Sequence, residues 1–589
     1  MRLIFVFSIL LLIVSFSFIS CNGGSQGNNN PAYDPDQESA TIALQVDWPE
    51  EPALSSTSQA SLSKVVKAAI DCNAMNVDKI SAEVFSDSHN LLQTGGPWDC
   101  SDGSATIRKV PARNNLIVTL YAFDTNGEEV YRGQAANVSV QASQTANVSI
   151  SMKNVLNRTV SLVQDINPGP GSSFPHRLFE LQSRLCFVAL DNNSGFELFI
   201  AGADGSGAQL LRDIYPSGEL DRTAVMAPTD FAELNGWLYF CANEGGGFNL
   251  WRTNGTSASR VLFTNGAIFF NPAGLAVLDG RLFFSADSDG SGRELWVFDE
   301  SSGQASQVAD IHPGQAGSNP HDLTVAGNDL FFVADDGQSG YEIWQTDSAA
   351  TACSLVTDIY TGLRGSYPRY QTNVNGRLFF VADGEGSAGQ GLWMVWREND
   401  TLNIQQVASA TANYNSLLRN LSWIDGSMLA FSANISSAGQ ELYLYDWQTD
   451  TAPQRITDLN PGAASSYPAN FAYLDGVLYF TAYNENDVEH LWAYSIGQQT
   501  LTCLTTDLQY PAPRDLTAVN QNLYFTASQE SFGRTLWATD GIRTGLVVAT
   551  NGAHIQHSPS NLIAASNGRL YYSAFDADYG EELFLLEDQ

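Results

Sequence analysis

A hairpin-like stretch that recurs along most of the chain constrains the fold more than any other feature. In its clearest copy, residues 330–344, two runs of β-branched and aromatic residues flank the turn-forming sequence Asp-Asp-Gly-Gln-Ser-Gly. The first leucines of the copies are Leu185, Leu238, Leu282, Leu330, Leu378, Leu429, Leu478, Leu523 and Leu570. A hairpin of nearly constant length between connections of variable length is typical of a structural repeat.

Each repeat has room for four strands. In the clearest unit these are predicted at residues 323–326, 330–334, 341–346 and 354–359. The turn before the second strand is usually Asn-Gly or Asp-Gly, which tolerate the positive φ of two-residue hairpins. Four antiparallel strands in a repeat of this length indicate a blade of a β-propeller.

The two ends of the repeat region predict that the propeller closes on itself. Residues 160–166 match only a fourth strand, and residues 582–586 match only a third strand. The early strand is therefore expected to complete the last blade and to cover sheet edges that would otherwise promote aggregation. The prediction for residues 157–589 is a closed β-propeller of about nine four-stranded blades.

A different all-β module is expected to precede the propeller. Short alternating strands at residues 41–46, 79–85, 105–110, 116–122 and 146–152 predict a small immunoglobulin-like β-sandwich over residues 40–153. Residues 61–70 have helical spacing and are interpreted as a short helix or a long loop. Cys72 and Cys100 are expected to form a disulfide; two buried free thiols are the alternative.

The N-terminus has the pattern of an export signal. A basic start and an apolar run at residues 3–19 define a signal segment over residues 1–20, and residues 21–39 form a polar tether. The position of Cys21 resembles the bacterial lipoprotein processing site, which implies cleavage before Cys21 and lipidation of that residue. Asn22 would then favour transfer to the outer membrane. An ordinary secretory signal with an incidental cysteine is the alternative.

Charge limits the classes of partner. The 589-residue chain carries a formal net charge of −35. Binding to nucleic acid requires clustered Lys and Arg, so nucleic acid is not an expected partner. The same charge disfavours electrostatic docking on anionic lipid, so contact with a membrane is expected through the lipid anchor alone.

The repeat motifs resemble a known family. Their consensus is Asp-Ile-x-Pro-Gly, Ser-x-Pro, Leu-Phe-Phe-x-Ala and Glu-Leu-Trp-x-x-Asp-Gly, seen best at residues 294–296, 310–314 and 536–541. From residue 160 to 589 the chain resembles the bacterial ELWxxDGT-repeat proteins. The resemblance implies a repeat fold and export, and that family has no established catalytic signature. Asn249, Gly391 and His490 depart from the glutamate of the motif.

Acidic residues cluster in the hairpin turns of three repeats. Their closely spaced oxygens beside flexible glycines are of the type that Ca²⁺ binds. These candidate ligands are Asp287, Asp289, Glu294, Asp335, Asp336, Glu342, Asp576, Asp578 and Glu582. Ordinary turn chemistry is the alternative interpretation, because Asp and Gly are common in hairpins. No other cofactor is indicated.

The recurrent aromatic residues are expected to pack between blades, with a sugar-stacking surface as the alternative.

The predicted function is an exported, lipid-anchored protein of the bacterial cell envelope whose propeller is a platform for an unidentified protein or glycan. Two alternatives stay open: a scaffold for envelope assembly, and a propeller enzyme acting on polysaccharide.

Overall fold

The structure is a computed structural model. It describes residues 39–47, 77–86, 91–100, 105–125, 129–141, 145–151, 153–154, 158–215, 228–267, 269–385, 389–410, 418–435, 439–506, 508, 510–529, 533–541, 544–547 and 557–588. The chain divides into two compact units, one up to Thr125 with Gly133–Met152, the other Lys153–Gln589 with Asn126–Arg132. In the described ranges, no helix has the length and apolar character needed to cross a membrane.

Before residue 158, the described residues form eight strands in two sheets. They are β1 (Ser39–Asp47), β2 (Lys79–Phe85), β3 (Leu91–Asp99), β4 (Ala105–Pro111), β5 (Arg113–Phe123), β6 (Glu129–Val140), β7 (Thr145–Ser151) and β8 (Lys153–Asn154). One sheet has the order β4-β1-β7, and the other has the order β3-β2-β5-β6-β8. β1 pairs with β7 in parallel and with β4 antiparallel, so the first sheet is mixed.

Alternating burial shows how the sequence builds these sheets. Along β2, Ile80, Ala82 and Val84 are buried while their neighbours are partly exposed, which is the period of a half-buried strand. Ile107 of the three-stranded sheet lies close to Gly95 of the five-stranded sheet, where an added Cβ would approach its side chain to 2.9 Å. The two sheets therefore pack on each other near Gly95. Residues 61–70, interpreted above as a short helix or a long loop, lie outside the described residues.

Within the described residues, the chain from residue 158 onward forms nine four-stranded sheets, here called blades 1 to 9. The strands are β9 (Arg158–Gln164), β10 (His176–Leu181), β11 (Arg184–Asp191), β12 (Gly195–Ala201), β13 (Ala208–Leu210), β14 (Thr229–Leu234), β15 (Trp237–Asn243), β16 (Phe248–Thr253), β17 (Ala258–Arg260), β18 (Phe270–Leu278), β19 (Arg281–Ser288), β20 (Gly292–Asp299), β21 (Gln304–Gln307), β22 (His321–Ala326), β23 (Asp329–Asp335), β24 (Tyr341–Asp347), β25 (Ser354–Thr357), β26 (Arg369–Val374), β27 (Arg377–Asp383), β28 (Gln390–Glu398), β29 (Thr401–Ser409), β30 (Arg419–Asp425), β31 (Met428–Ala433), β32 (Glu441–Asp446), β33 (Gln454–Arg455), β34 (Ala469–Leu474), β35 (Val477–Tyr483), β36 (Glu489–Ser495), β37 (Thr500–Cys503), β38 (Arg514–Val519), β39 (Asn522–Gln529), β40 (Gly533–Thr539), β41 (Thr544–Leu546), β42 (His557–Ala564), β43 (Arg569–Asp576) and β44 (Gly580–Asp588).

Blades 1 to 8 each use four consecutive antiparallel strands, from β10–β13 to β38–β41, and blade 9 has the order β42-β43-β44-β9. The all-β propeller fold is thus as predicted, down to the number of four-stranded sheets. The hairpin turns adopt the expected conformation: Asn235 and Gly236 have φ of 52° and 78°, and Asn375 and Gly376 have 48° and 84°.

The second strand of each blade supplies the core. In β23, Leu330, Phe331 and Phe332 are at most 2% exposed, and Leu330 and Phe332 pack with Phe283 and Leu295 of blade 3. The prediction that the recurrent aromatic residues form core is confirmed for four tryptophans in the third strands, which are at most 9% exposed: Trp251, Trp296, Trp344 and Trp537. Trp393 and Trp492 are partly buried.

Blade 9 is completed from the opposite end of the repeat region. β9 pairs antiparallel with β44, with Val160 opposite Leu586 and Leu162 opposite Phe584. The prediction that the early strand supplies the fourth strand of the last blade is therefore confirmed. Val163 of β9 also shares a core cluster with Phe187 of blade 1, so blades 9 and 1 pack together.

Candidate functional site

The repeat motifs meet at one edge of the blades, here called the upper edge. It is the edge at which the first and third strands of a blade begin and the second and fourth strands end, because neighbouring strands are antiparallel. The acidic hairpin turns lie there, and so does the Ser-x-Pro motif that leads into the next blade. Any shared role of these motifs must therefore be sought at the upper edge.

The motif glutamate is buried and binds the next blade. Glu294 of β20 is fully buried, and its carboxylate accepts hydrogen bonds from the backbone N–H and Oγ of Ser318, which precedes blade 4. The backbone N–H groups of Ile311 and His312 also donate to it, each at 3.3 Å. The carbonyl oxygen of Ser318 accepts from Asp335 N–H at 3.0 Å. Ser318 thus joins the third strand of blade 3 to the second strand of blade 4.

In the part of the chain that the structure describes, the same contact, here called the Glu–Ser clamp, is present in four places. The pairs are Glu294–Ser318, Glu342–Ser366, Glu441–Ser466 and Glu582–Ser173. The last pair joins blade 9 to blade 1. Three of the pairs are separated by 24 or 25 residues in the chain. This nearly constant separation between the Glu-Leu-Trp and Ser-x-Pro motifs could have predicted the clamp from the sequence. The interpretation of the glutamates as metal ligands did not take it into account.

Burial raises the pKa of three clamp carboxyls, those of Glu294, Glu342 and Glu582, and of Glu197, the equivalent residue in blade 1. Loss of hydration is the largest cause in each case; it raises the pKa of Glu342 to about 6 and that of Glu582 to about 7. The pKa of Glu197 rises to about 8, where the backbone N–H groups of Ile214 and Tyr215 partly offset the effect. Oε1 of Glu582 and Oε2 of Glu197 are buried without a hydrogen-bond partner among the described residues, which fits a high proton affinity.

We expect the propeller to lose stability as the pH rises. Folding raises the pKa of such a carboxyl. Its contribution to stability is complete at a pH below its pKa in the unfolded chain, near 4.5, and is lost as the pH rises through its pKa in the folded protein. The melting temperature should therefore fall between about pH 5 and pH 8.5. In the double variant Glu197→Gln/Glu582→Gln the two side chains stay neutral, so the fall should be shallower. Equal slopes in wild type and variant would contradict this assignment, because general charge repulsion acts on both proteins.

The predicted Ca²⁺ ligands are not brought together as one site. Among the described residues, no group of three or more His, Cys, Asp or Glu is arranged to hold a metal ion. Asp287 pairs with Arg293 at 3.0 Å, and Asp289 is exposed. Asp335 and Asp336 accept hydrogen bonds from backbone N–H groups of their own turn.

The third acidic turn has the same arrangement. Asp576 accepts the backbone N–H of Asp578 at 2.9 Å, Asp578 is exposed, and Glu582 is fully buried. The aspartates thus stabilise turns while the glutamates face the neighbouring blade. These contacts favour the turn-chemistry interpretation.

Melting curves distinguish the two interpretations of the acidic turns. Because Glu294 already accepts four protein donors, we expect Ca²⁺ and Mg²⁺ at equal ionic strength to raise the melting temperature equally through screening. A specific Ca²⁺ site would instead add stability by mass action, about 2.7 kcal/mol at a hundredfold excess over the dissociation constant. A larger effect of Ca²⁺ that Asp287→Asn/Asp289→Asn abolishes would establish the calcium site.

Exposed aromatic side chains occupy the middle position of the Ser-x-Pro motif. Phe174, Tyr367 and Tyr467 are 47%, 47% and 57% exposed. Their φ angles lie between 49° and 50°, in the left-handed region that bulky residues rarely adopt. Asn319 has the same position and a φ of 50° in blade 4, and asparagine tolerates that conformation.

Further rings contact these side chains. The ring centroids of Tyr341 and Tyr367 are 5.9 Å apart, and those of His321 and Tyr341 are 5.5 Å apart at 70°. His176 and Phe196 repeat the second contact in blade 1, at 5.5 Å and 76°. In both places Nδ1 of the histidine lies 2.9 Å from the carbonyl oxygen of the residue in the middle of Ser-x-Pro. The upper edges therefore carry aromatic clusters that are open to solvent.

The cysteines divide between the two units. Cys21 and Cys72 lie outside the described residues, and Cys100 is disulfide-bonded, so its pairing with Cys72 stays a prediction. In the propeller, Cys186, Cys241, Cys353 and Cys503 are free, and burial raises the pKa of the Cys186 thiol to about 12. Such thiols are unreactive packing groups.

Comparisons with known proteins identify no family for this chain. No family model matches the chain, and no curated protein matches it. A puromycin-hydrolyzing peptidase from Mycobacterium tuberculosis is 12% identical, with a TM-score of 0.34, over 60% of this chain and 58% of that chain. Prolyl oligopeptidase B from Galerina marginata is 14% identical, with a TM-score of 0.33, over 59% and 54%.

The β-propeller domain of the Trilobed protease from Pyrococcus furiosus is 12% identical, with a TM-score of 0.30, over 55% of this chain and 98% of that domain. The chain spans about 58% of the length of the first of these peptidases. At TM-scores of 0.30 to 0.34, these likenesses support no conclusion about this chain.

Proposed function

We propose that this chain is an exported, lipid-anchored protein of the bacterial cell envelope whose β-propeller is a binding platform for a protein or a glycan. The observation that carries the platform is the set of exposed aromatic side chains at the upper edges. Phe174, Tyr367 and Tyr467 hold an unfavourable backbone conformation, which costs about 1–3 kcal/mol each, while roughly half of each side chain stays in solvent. Folding gains little from them, so binding is the better explanation of their presence.

The platform rests on a second inference, that the nine blades form a closed ring. In addition to the pairing of β9 with β44, Nδ2 of Asn561 in blade 9 donates to the carbonyl oxygen of Pro175 at 3.2 Å. The same kind of bond links Arg177 to Pro228 at 2.9 Å and Asn420 to Pro468 at 3.0 Å, in each case from one blade to the next. Blades 9 and 1 thus contact each other as consecutive blades do elsewhere, which supports closure.

The lipid anchor rests on the N-terminal sequence. Cys21 follows the apolar run of residues 3–19, and several acyl chains on that residue would hold the protein stably at a membrane where a single chain would not. The polar residues 21–39 would then act as a flexible spacer between the membrane and the folded units. Lipidation and export are parts of the proposal.

One experiment in cells tests the anchor and the platform together. A photo-cross-linking amino acid is placed at position 467, or at position 423, where Trp423 is 53% exposed at the opposite edge of its blade. We expect the wild type to incorporate a fatty-acid label and the Cys21→Ala variant to lose it. We also expect a discrete cross-linked adduct from position 467 and none from position 423. Normal acylation of Cys21→Ala would contradict the anchor. Equal or absent adducts at the two positions would contradict the platform.

A further inference from the structure

We propose that the upper edges of blades 4 and 5 form a stacking site for a neutral glycan chain, built from Tyr367, Tyr341 and His321. The proposal rests on the proposed platform and names the class of its ligand. The three rings form a continuous strip, because the Tyr341–Tyr367 and His321–Tyr341 centroid distances are 5.9 and 5.5 Å. Tyr367 N–H also donates to the carbonyl oxygen of Tyr341 at 3.1 Å, which fixes the pair through the backbone.

Backbone strain at Tyr367 indicates that its ring is there for a ligand. Asn319 occupies the equivalent position with a φ of 50°, against 49° for Tyr367, so asparagine would satisfy the same turn at lower conformational cost. Tyr367 recovers little of that cost by burial, since 47% of its surface is exposed. A strained residue that contributes little to packing is characteristic of a binding site.

The surroundings of the strip favour a sugar over a charged ligand. Pyranose rings present C–H groups to aromatic faces and hydroxyl groups to polar neighbours, and Tyr combines an apolar ring with a polar tip. Leu363 beside the strip is 76% exposed, and the exposed Arg364 packs over the ring of Tyr360 at 4.7 Å. The nearby Arg369 is paired with Asp383 at 2.7 Å. With a net charge of −35, the chain repels anionic polymers, so the site fits a neutral glycan.

Related clusters on other blades suit a polymer. Phe174, beside the His176–Phe196 pair, repeats the arrangement at blade 1, and Tyr467 contacts Tyr483 at blade 7 with centroids 6.4 Å apart. All of them lie at the upper edges. Once one cluster has bound a long chain, a second cluster meets the same chain at a high effective concentration. Several weak sites together would therefore bind a polymer more tightly than any one of them alone.

The test measures retardation of the full chain by soluble polysaccharides in native gels. The probes are a neutral β-glucan, dextran as a neutral α-glucan, and alginate as an anionic polymer. We expect retardation by at least one neutral glucan and none by alginate. Tyr367→Asn should weaken binding about three- to tenfold, as expected for one lost stacking contact, and Phe174→Asn/Tyr367→Asn/Tyr467→Asn should abolish it.

Trp423→Ala is the matched control, because Trp423 is an exposed aromatic residue at the opposite edge, with Nε1 donating to Gly426 at 3.1 Å. Its retardation should equal that of the wild type. Tyr367→Asn should melt no lower than the wild type, which separates lost binding from lost folding. The inference is overturned if no neutral glucan retards the wild type, if alginate retards it equally, or if Tyr367→Asn binds normally. A cross-linked protein at position 467 without glucan binding would overturn this inference while leaving the proposed platform intact.

Discussion

Placing two aspartates at buried positions of β9, one on each face of the strand, should destabilise the whole propeller. Val160 and Val163 are 3% and 4% exposed, and they pack on opposite neighbours, Val160 with the last blades and Val163 with blade 1. Val160→Asp/Val163→Asp loses the burial of two valines, about 3–6 kcal/mol in total. It also requires two unpaired charges to be buried, so β9 should detach from β44 and expose the edge of that strand.

The same strand supplies the control for this experiment. Ser161 and Gln164 are exposed, so Ser161→Asp/Gln164→Asp adds the same charge to the same strand without disturbing the core. We expect the first variant to melt well below the wild type and to form oligomers through the uncovered edge, as measured by calorimetry and light scattering. The control should behave as the wild type. Equal melting of the two double variants would show that the propeller does not depend on β9.

Local features of the sequence predicted the blades well. The predicted strands at residues 330–334 and 341–346 correspond to β23 and β24, which extend them by one residue at Asp329, Asp335 and Asp347. Alternating apolar residues and Asn-Gly turns act over a few residues, so they determine hairpins whatever the tertiary context. In the N-terminal unit, β3 was missed because Gly95, Gly96 and Pro97 favour a turn, whereas the structure accommodates them with a shift in register against β2.

Contacts between blades were harder to predict. Glu342 lies beside a glycine-rich turn, where an acidic residue is equally compatible with a metal ligand, and its partner Ser366 belongs to the next blade. Only the docking of one blade on another brings the two together. The conformation of Tyr367 is also a tertiary effect, because Ser-x-Pro does not itself require a positive φ at its middle residue. The sequence thus identified the residues at the upper edge but not their partners.

Removing a clamp glutamate should have the largest effect of any single substitution considered for the propeller. Glu342 is fully buried and accepts the backbone N–H of Tyr360 at 3.1 Å, the backbone N–H of Ser366 at 2.8 Å, and the hydroxyl of Ser366. In Glu342→Ala these three donors lose their acceptor at the junction of blades 4 and 5. An unsatisfied buried donor costs about 1–3 kcal/mol, so we expect a loss of about 3–5 kcal/mol after partial relaxation.

Two further substitutions separate the clamp from its surroundings. Asp336→Ala removes an acidic acceptor from the turn of the same hairpin, where Gln338 and Ser339 have access to water, so it should cost less than about 1 kcal/mol. Ser366→Ala removes one donor and should fall between the two. Because Glu342 and Ser366 act on each other, the double variant Glu342→Ala/Ser366→Ala should cost less than the sum of the single variants. Additive losses in melting temperature would mean that the two residues stabilise their blades independently, and the Glu–Ser clamp would then not join one blade to the next.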